Sequence, residues 1–269
     1  MDKNIGFIGC GNMGEAILGG LLASGQVQPA NIWIYTPSPD KVAALSAKYS
    51  VNSAQSAQEV AQVADIVFGA VKPNIMLKVM SDINNSLNKD TLVISIAAGI
   101  TLEQLATSLG HDRKIIRVMP NTPALVNAGM TSITPNALAT QTDISDALNI
   151  FRSFGQAEVV PEYLIHSVVG VSGSSPAYVF MFIEAMADAA VLGGMPRAQA
   201  YKFAAQAVMG SAKMVLETGK HPGELKDMVC SPGGTTIEAV KVLEEQGFRA
   251  AIIDAMEKCM QKSIQLSKS

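Results

Sequence analysis

The segment Gly9-Cys10-Gly11-Asn12-Met13-Gly14 lies between the strand-like run Ile5-Gly6-Phe7-Ile8 and a helical pattern that extends to about residue 24. A G-x-G-x-x-G spacing alone is weak evidence, because tight packing can produce it. Between a strand and a helix it fixes a chain order, and with it the opening unit of a parallel α/β sheet. The glycines permit a tight turn and let the backbone approach a pyrophosphate at the helix N-terminus. Ile8, Gly9, Cys10, Gly11, Asn12, Met13 and Gly14 are therefore expected against a dinucleotide. Cys10 reads simply as a small residue that fits the turn.

The pattern that follows supports this start. Short apolar runs at 32–35, 66–70, 91–96 and 115–119 alternate with helical patterns near 39–48, 75–86 and 101–109. Near-continuous apolar strands separated by helices indicate a parallel sheet covered on both faces. Thr101 and Gln104 have the spacing of a capping box. The expected fold is a Rossmann-type, doubly wound parallel sheet over residues 1–162, followed by an all-helical dimerisation domain over 163–269.

The second part differs in character. Residues 177–195 and 197–217 are long, helical and rich in Ala and Met, with few polar residues on any face of 178–192. A helix apolar all round must be buried, and one small domain cannot surround it. A second copy of the chain is the expected cover. Gly193-Gly194-Met195-Pro196 reads as a helix stop and start, and Ser175-Pro176 as an N-cap followed by proline at the first helical position.

Composition closes off other classes. With 269 residues, 48% apolar and 16% charged, the chain suits two domains, and a net charge of −3 leaves no basic face for nucleic acid. Three scattered cysteines (Cys10, Cys230, Cys259) and three scattered histidines (His111, His166, His221) predict neither disulfides nor a metal site. Asp2 and Lys3 run directly into the glycine loop, which argues against a cleaved signal peptide, and the uncharged run 16–39 is interrupted by Gly, Pro, Gln and Asn. A cytoplasmic protein is expected.

Two further regions bear on ligands. An acid about 20 residues beyond the fingerprint selects NAD through the ribose 2′-hydroxyl. Tyr35-Thr36-Pro37-Ser38 offers hydroxyls and N–H groups instead, with Lys41 nearby, so NADPH is preferred and NADH remains possible. Ala70-Val71-Lys72-Pro73 and Ile96-Ala97-Ala98-Gly99 end two strands, where open α/β sheets bind ligands; Lys72 reads equally well as a solvated loop lysine. Asn121-Thr122-Pro123 reads as a shaping turn. Near the C-terminus, Ser231-Pro232-Gly233-Gly234-Thr235-Thr236 opens a helical pattern with two glycines and three hydroxyls. That is more than a cap requires, and it suits a small carboxylate. His221 and Glu162 are loop residues without local partners.

Together these motifs resemble the pyrroline-5-carboxylate reductase family nearly end to end. The residues carrying the likeness are Phe7–Met13, Ala70-Val71-Lys72-Pro73, Met119-Pro120-Asn121-Thr122-Pro123, Gly170–Tyr178, and His221-Pro222-Gly223 through Thr236. The resemblance implies NAD(P)H-dependent reduction of 1-pyrroline-5-carboxylate to L-proline, the last step of proline synthesis. It implies that Ser38 meets the 2′-phosphate and that residues 70–73 and 96–98 line the cofactor. It also implies that Ser231, Gly233, Gly234, Thr235 and Thr236 hold the substrate, that Thr236 bonds the ring nitrogen, and that Glu162 approaches the site. Ala57 and Met228 depart from relatives with Asn there. A homodimer, possibly a ring of dimers, is implied as well.

Two other readings fit parts of the chain. A 3-hydroxyacid-type dehydrogenase would need a helical lysine such as Lys202 or Lys213, and neither has a motif around it. A non-catalytic NADP(H)-sensing regulator would not need a second anion site.

Overall fold

Eight strands form one sheet in the order β3-β2-β1-β4-β5-β6-β7-β8 in the computed structural model, which describes residues 1–268. In chain order the elements are β1 (Ile5–Ile8), α1 (Asn12–Ala23), β2 (Ile32–Tyr35), α2 (Pro39–Tyr49), β3 (Asn52–Ser53) and α3 (Ala57–Val63). Then come β4 (Ile66–Gly69), α4 (Pro73–Ile83), β5 (Leu92–Ser95), α5 (Leu102–Leu109), β6 (Lys114–Met119) and β7 (Gly129–Pro135). The unit continues with α6 (Gln141–Arg152), β8 (Gly155–Val159) and the short α7 (Ile165–Val168). The remaining helices are α8 (Ser175–Leu192), α9 (Arg197–Thr218), α10 (Pro222–Val229), α11 (Thr235–Glu245) and α12 (Phe248–Ser267).

Strands β1 to β6 are mutually parallel, as the alternating pattern predicted. Three strands lie outside that prediction: the two-residue β3 at one edge, and β7 and β8 at the other. β7 turns back antiparallel to β6, and β8 lies parallel to β7. Helices cover both faces. One face buries Phe7, Ile17, Leu21, Phe68, Phe151 and Phe154; the other buries Val60, Met76, Met80, Val93 and Leu105. Phe7 stacks on Phe68 at 4.8 Å, and Phe154 fills the space beside Gly20, where a methyl group would meet its ring at 2.7 Å. Close packing of this kind leaves little tolerance for added volume.

The chain divides into two units: residues 1–174 with the segment from Cys259 onward, and residues 175–258. The C-terminal segment belongs to the sheet unit through a stripe on α12. Cys259 Sγ donates to Ser174 Oγ at 3.2 Å, Ser263 Oγ meets His166 Nδ1 at 2.9 Å, and Leu266 packs beside Gly99. Spacings of four and three residues put all three on one helix face.

Helices alone build the other unit. α8 and α9 meet at the buried Ala187, Ala200 and Ala204. Their remaining surface includes large exposed apolar side chains: Leu192 is 91% exposed, Leu216 81% and Phe203 68%. The stretch Glu162–Leu192 is long and apolar enough to cross a membrane by length and composition, which the sequence reading did not identify. Two cap expectations are corrected. Ser175 is the first residue of α8 rather than its cap, because Ser174 is already helical and its N–H reaches back to Val169 O at 2.8 Å through a π-turn. Pro196 is the cap of α9 and Arg197 its first residue. The capping box at Thr101 and Gln104 is present.

Candidate functional site

The fingerprint turn is built from the sheet outward. Gly9 N–H bonds Tyr35 O and Ala70 N–H bonds Ile8 O, both at 2.8 Å, which ties the turn to β2 and β4. Gly9 has φ +81°, and a Cβ there would lie 2.7 Å from Ala70 O, so the fold itself demands glycine. Gly14 packs on Ala70 Cβ. Gly11 is different. It is extended (φ −71°, ψ −170°), which any residue adopts, and a Cβ there would have no heavy atom within 4 Å. It caps α1 without a side-chain hydrogen bond, so no cap side chain occupies the first N–H groups of α1. Nothing in the fold requires glycine there.

The other expected cofactor residues lie at the ends of β2, β4 and β5. Thr36 is buried and its Oγ1 accepts from Ser38 N–H at 3.2 Å, leaving the exposed Ser38 at the start of α2 with no side-chain cap bond. Asp40 and Lys41 bring opposite charges into the same first turn. Ala70 is buried, Val71 is half-buried, and Lys72 and Pro73 are exposed at the start of α4. Ile96 N–H bonds Gly69 O at 3.2 Å, Ala97 is buried, and Ala98 is exposed. Ile8 and Cys10 direct their side chains into the core, so only their backbone is available to a ligand. Burial pushes the Cys10 thiol up to about 11, with Glu15 adding to the rise, which rules it out as a nucleophile near neutral pH.

The helical unit contains the second expected anion site. Gly234 N–H closes a turn onto Ser231 O at 3.0 Å, with Gly233 at φ +66°. A Cβ on Gly234 would collide with Ser231 Oγ at about 2.3 Å. Gly234 then caps α11 without a side-chain hydrogen bond. Ser231, Thr235 and Thr236 are therefore not spent on capping α11. His221, expected to be a plain loop residue, caps α10 by accepting from Gly223 N–H at 3.1 Å. Met228 is exposed on α10. Of the two lysines considered, Lys202 is exposed and Lys213 pairs with Glu217 at 3.5 Å.

Glu162 is engaged within the sheet unit. Its Oε1 accepts from Arg117 Nη1 at 2.9 Å and from Leu102 N–H at 2.8 Å. That oxygen serves the sheet unit's own architecture. Arg117, missed by sequence reasoning, is 4% exposed in β6. Its signal was a charge inside the apolar run Ile115-Ile116-Arg117-Val118-Met119, which only a distant acid could balance. Beside this pair, burial and then the nearby Arg117 charge hold His166 below the usual histidine range, against a smaller opposing effect of Glu162. Asn121 is a shaping residue as expected: its side chain accepts from Met130 N–H at 2.8 Å and donates to Ser172 O at 3.0 Å.

Comparison with known proteins bears on both units. Residues 162–266 match the family model described as pyrroline-5-carboxylate reductase dimerisation, and residues 4–99 match NADP oxidoreductase coenzyme F420-dependent. A pyrroline-5-carboxylate reductase of Escherichia coli (strain K12) is 79% identical over 269 residues, all of both chains. One from Methanosarcina acetivorans is 45% identical over 99% of each. Among solved structures, a pyrroline-5-carboxylate reductase from Coxiella burnetii is 36% identical, with TM-score 0.93 and complete coverage of both chains. A Plasmodium falciparum pyrroline carboxylate reductase with NADP bound is 32% identical, with TM-score 0.89, covering 99% of this chain and 98% of that one.

Proposed function

The chain belongs to the pyrroline-5-carboxylate reductase family, and from that premise we propose how its residues divide the work of the reaction. It is an oxidoreductase of the CH–NH group that reduces 1-pyrroline-5-carboxylate to L-proline, the final step of proline biosynthesis. The 3-hydroxyacid and regulator readings fall with that membership. The observation that carries the division of roles is that α1 and α11 both start at a glycine cap with no side-chain hydrogen bond.

Open space over Gly11 and the uncapped start of α1 fit the pyrophosphate of an NADP cofactor. Gly9 through Gly14 would hold it there, with Ile8 contributing backbone. Thr36 and Ser38 at the start of α2 would receive the 2′-phosphate, which supports NADPH over NADH. Segments 70–73 and 96–98, at the ends of β4 and β5, would line the remainder. When bound, the reduced nicotinamide supplies the hydride that adds to the imine carbon.

On the substrate side, Ser231, Gly233, Gly234 and Thr235 would hold the carboxylate through hydroxyls and the free N–H groups of α11. Thr236 would set its hydroxyl on the ring nitrogen. A cyclic imine already protonated on nitrogen is electrophilic enough to accept hydride, the C=N pair moves to nitrogen, and the product amine keeps the proton. The protein then supplies orientation and fixed dipoles rather than an acid–base pair. This agrees with a turn made of hydroxyls and N–H groups.

The dimerisation match over 162–266 and the exposed apolar faces of α8 and α9 indicate an oligomer; a homodimer that builds into a ring of dimers is the assembly proposed. The match also supports a functional boundary at 162/163, dividing cofactor domain from substrate and dimerisation domain. Three free cysteines support a reducing, cytoplasmic setting.

Loss of NADPH absorbance on adding 1-pyrroline-5-carboxylate tests the activity. Ser38→Asp tests the cofactor assignment: it should weaken NADPH by charge repulsion and spare NADH. Equal losses with both cofactors would remove Ser38 from the 2′-phosphate.

A further inference from the structure

The loop after β5 reads Ile96-Ala97-Ala98-Gly99-Ile100. Small apolar side chains give it a close approach to a ligand but no side-chain hydrogen bonds with which to hold its own shape. Its shape must come from what grips its two ends. At one end Ile96 N–H is bonded to Gly69 O at 3.2 Å, and Ala97 N–H to Ser95 Oγ at 3.4 Å. At the other end, Leu102 N–H, the first of α5, is bonded to Glu162 at 2.8 Å beside the Thr101–Gln104 capping box.

Glu162 is in turn fixed by Arg117. This guanidinium is almost wholly buried, and its position in β6 is opposite Ser95 in β5 and Thr134 in β7. A buried guanidinium needs its partner, and the single bond at 2.9 Å locks the carboxylate in place. Ser95 and Glu162 thus hold the two ends of one loop, and Arg117 is opposite the first and bonded to the second. Leu266 of α12 closes over Gly99 between them.

The geometry points to Glu162 and Arg117 as positioning residues that hold the 96–101 loop in register for the nicotinamide half of the cofactor. The assignment of halves follows from the sheet. If the 2′-phosphate lies at the end of β2, the other mononucleotide lies across the point where strand order reverses, at the ends of β4 to β6. The inference rests on the reading of residues 96–98 as cofactor-lining. It replaces substrate contact as the role of Glu162.

Binding of NADPH, followed by fluorescence, and of 2′-phospho-ADP-ribose, which lacks the nicotinamide, separates the possibilities. Glu162→Ala should weaken NADPH about 3- to 30-fold, the scale on which residues one step removed from a ligand act. The truncated nucleotide should bind as before. Glu162→Gln keeps an oxygen for Leu102 N–H and should recover most of the loss. The double variant Arg117→Met/Glu162→Met removes both charges together, so its melting temperature should recover while NADPH binding stays weak. Recovery of both would reduce the pair to a stabilising contact and overturn the inference. A rise in KM for the imine with NADPH binding unchanged would return Glu162 to the substrate and also overturn it. Ala98→Leu tests the underlying reading separately: if it leaves NADPH binding unchanged, the loop does not line the cofactor at all.

Discussion

Gly11→Ala separates a glycine kept for the fold from one kept for the ligand. At Gly11 the backbone is extended and an added methyl meets nothing within 4 Å. Two small effects on stability oppose each other. Alanine restricts the unfolded chain, worth about 0.4–1 kcal/mol in favour of folding. Alanine is also a poorer N-cap than glycine, at a cost of roughly 0.5–1 kcal/mol. The net change should stay within about 1 kcal/mol and the melting temperature should barely move. Ligand binding should respond strongly, because the methyl occupies the space a phosphate would need against the start of α1. Losing one charge-assisted hydrogen bond costs about 1.5–3 kcal/mol, so NADPH should bind roughly 10- to 100-fold more weakly. Gly9→Ala is the contrast: its Cβ would lie 2.7 Å from Ala70 O at a strained φ, so it should lower the melting temperature as well. Fluorescence titration with NADPH and a thermal melt on each variant decide the matter. If Gly11→Ala binds NADPH as the unsubstituted protein does, or loses affinity only in step with stability, the argument from open space is wrong.

Other outcomes follow from the same geometry. Thr236→Ala should lower kcat/KM about 10- to 100-fold, the effect of losing one hydrogen bond to a charged nitrogen at about 1.5–3 kcal/mol, with NADPH binding unchanged and Thr235→Ala costing less; full activity in a correctly assembled enzyme would leave the hydroxyl no role at the ring nitrogen. Phe203→Glu places a charge on the exposed apolar face of α9 and should yield a smaller species on sedimentation with reduced activity; an unchanged assembly would exclude that face from the interface. His166, depressed chiefly by burial, binds its proton less readily in the folded chain than in the unfolded one. Its contribution to stability is therefore complete above the ordinary value of 6.5 and declines as pH falls from there towards the folded value. Melting temperatures between about pH 7.5 and 5.5 should fall less steeply in His166→Gln, and parallel slopes would refute this.

The sheet was legible wherever apolar runs were flanked by helical patterns. Ile66–Gly69 and Leu92–Ser95 are buried throughout, and a strand covered on both faces announces itself by composition alone. Gly129–Pro135 and Gly155–Val159 are not of that kind. The first includes two threonines, a serine and a proline, the second a glutamine and a glutamate, and the first enters the sheet by turning back antiparallel to β6, which no local pattern encodes. A second capping box, Thr140 with Asp143, carries a signal as clear as that of Thr101 with Gln104 and could have been read. The two glycine turns were legible because each requires a backbone that only glycine provides at Gly9 and Gly233. Arg117 and Glu162 stand 45 positions apart, so their pairing is a property of the folded chain rather than of any segment.

Residues from Cys259 onward complete a unit that begins at Met1, and this has a consequence for synthesis on the ribosome. The sheet can pair as its strands emerge, but Ser174, His166 and Gly99 must wait for Cys259, Ser263 and Leu266 until every intervening helix has been translated. At about 5–20 residues per second the 85 positions separating Ser174 from Cys259 alone impose a delay of about 4 to 17 seconds. A nascent chain halted after Ser174 would therefore carry an unfinished sheet unit, open to proteases along the 96–101 loop, and should acquire protection there only once α12 has left the exit tunnel.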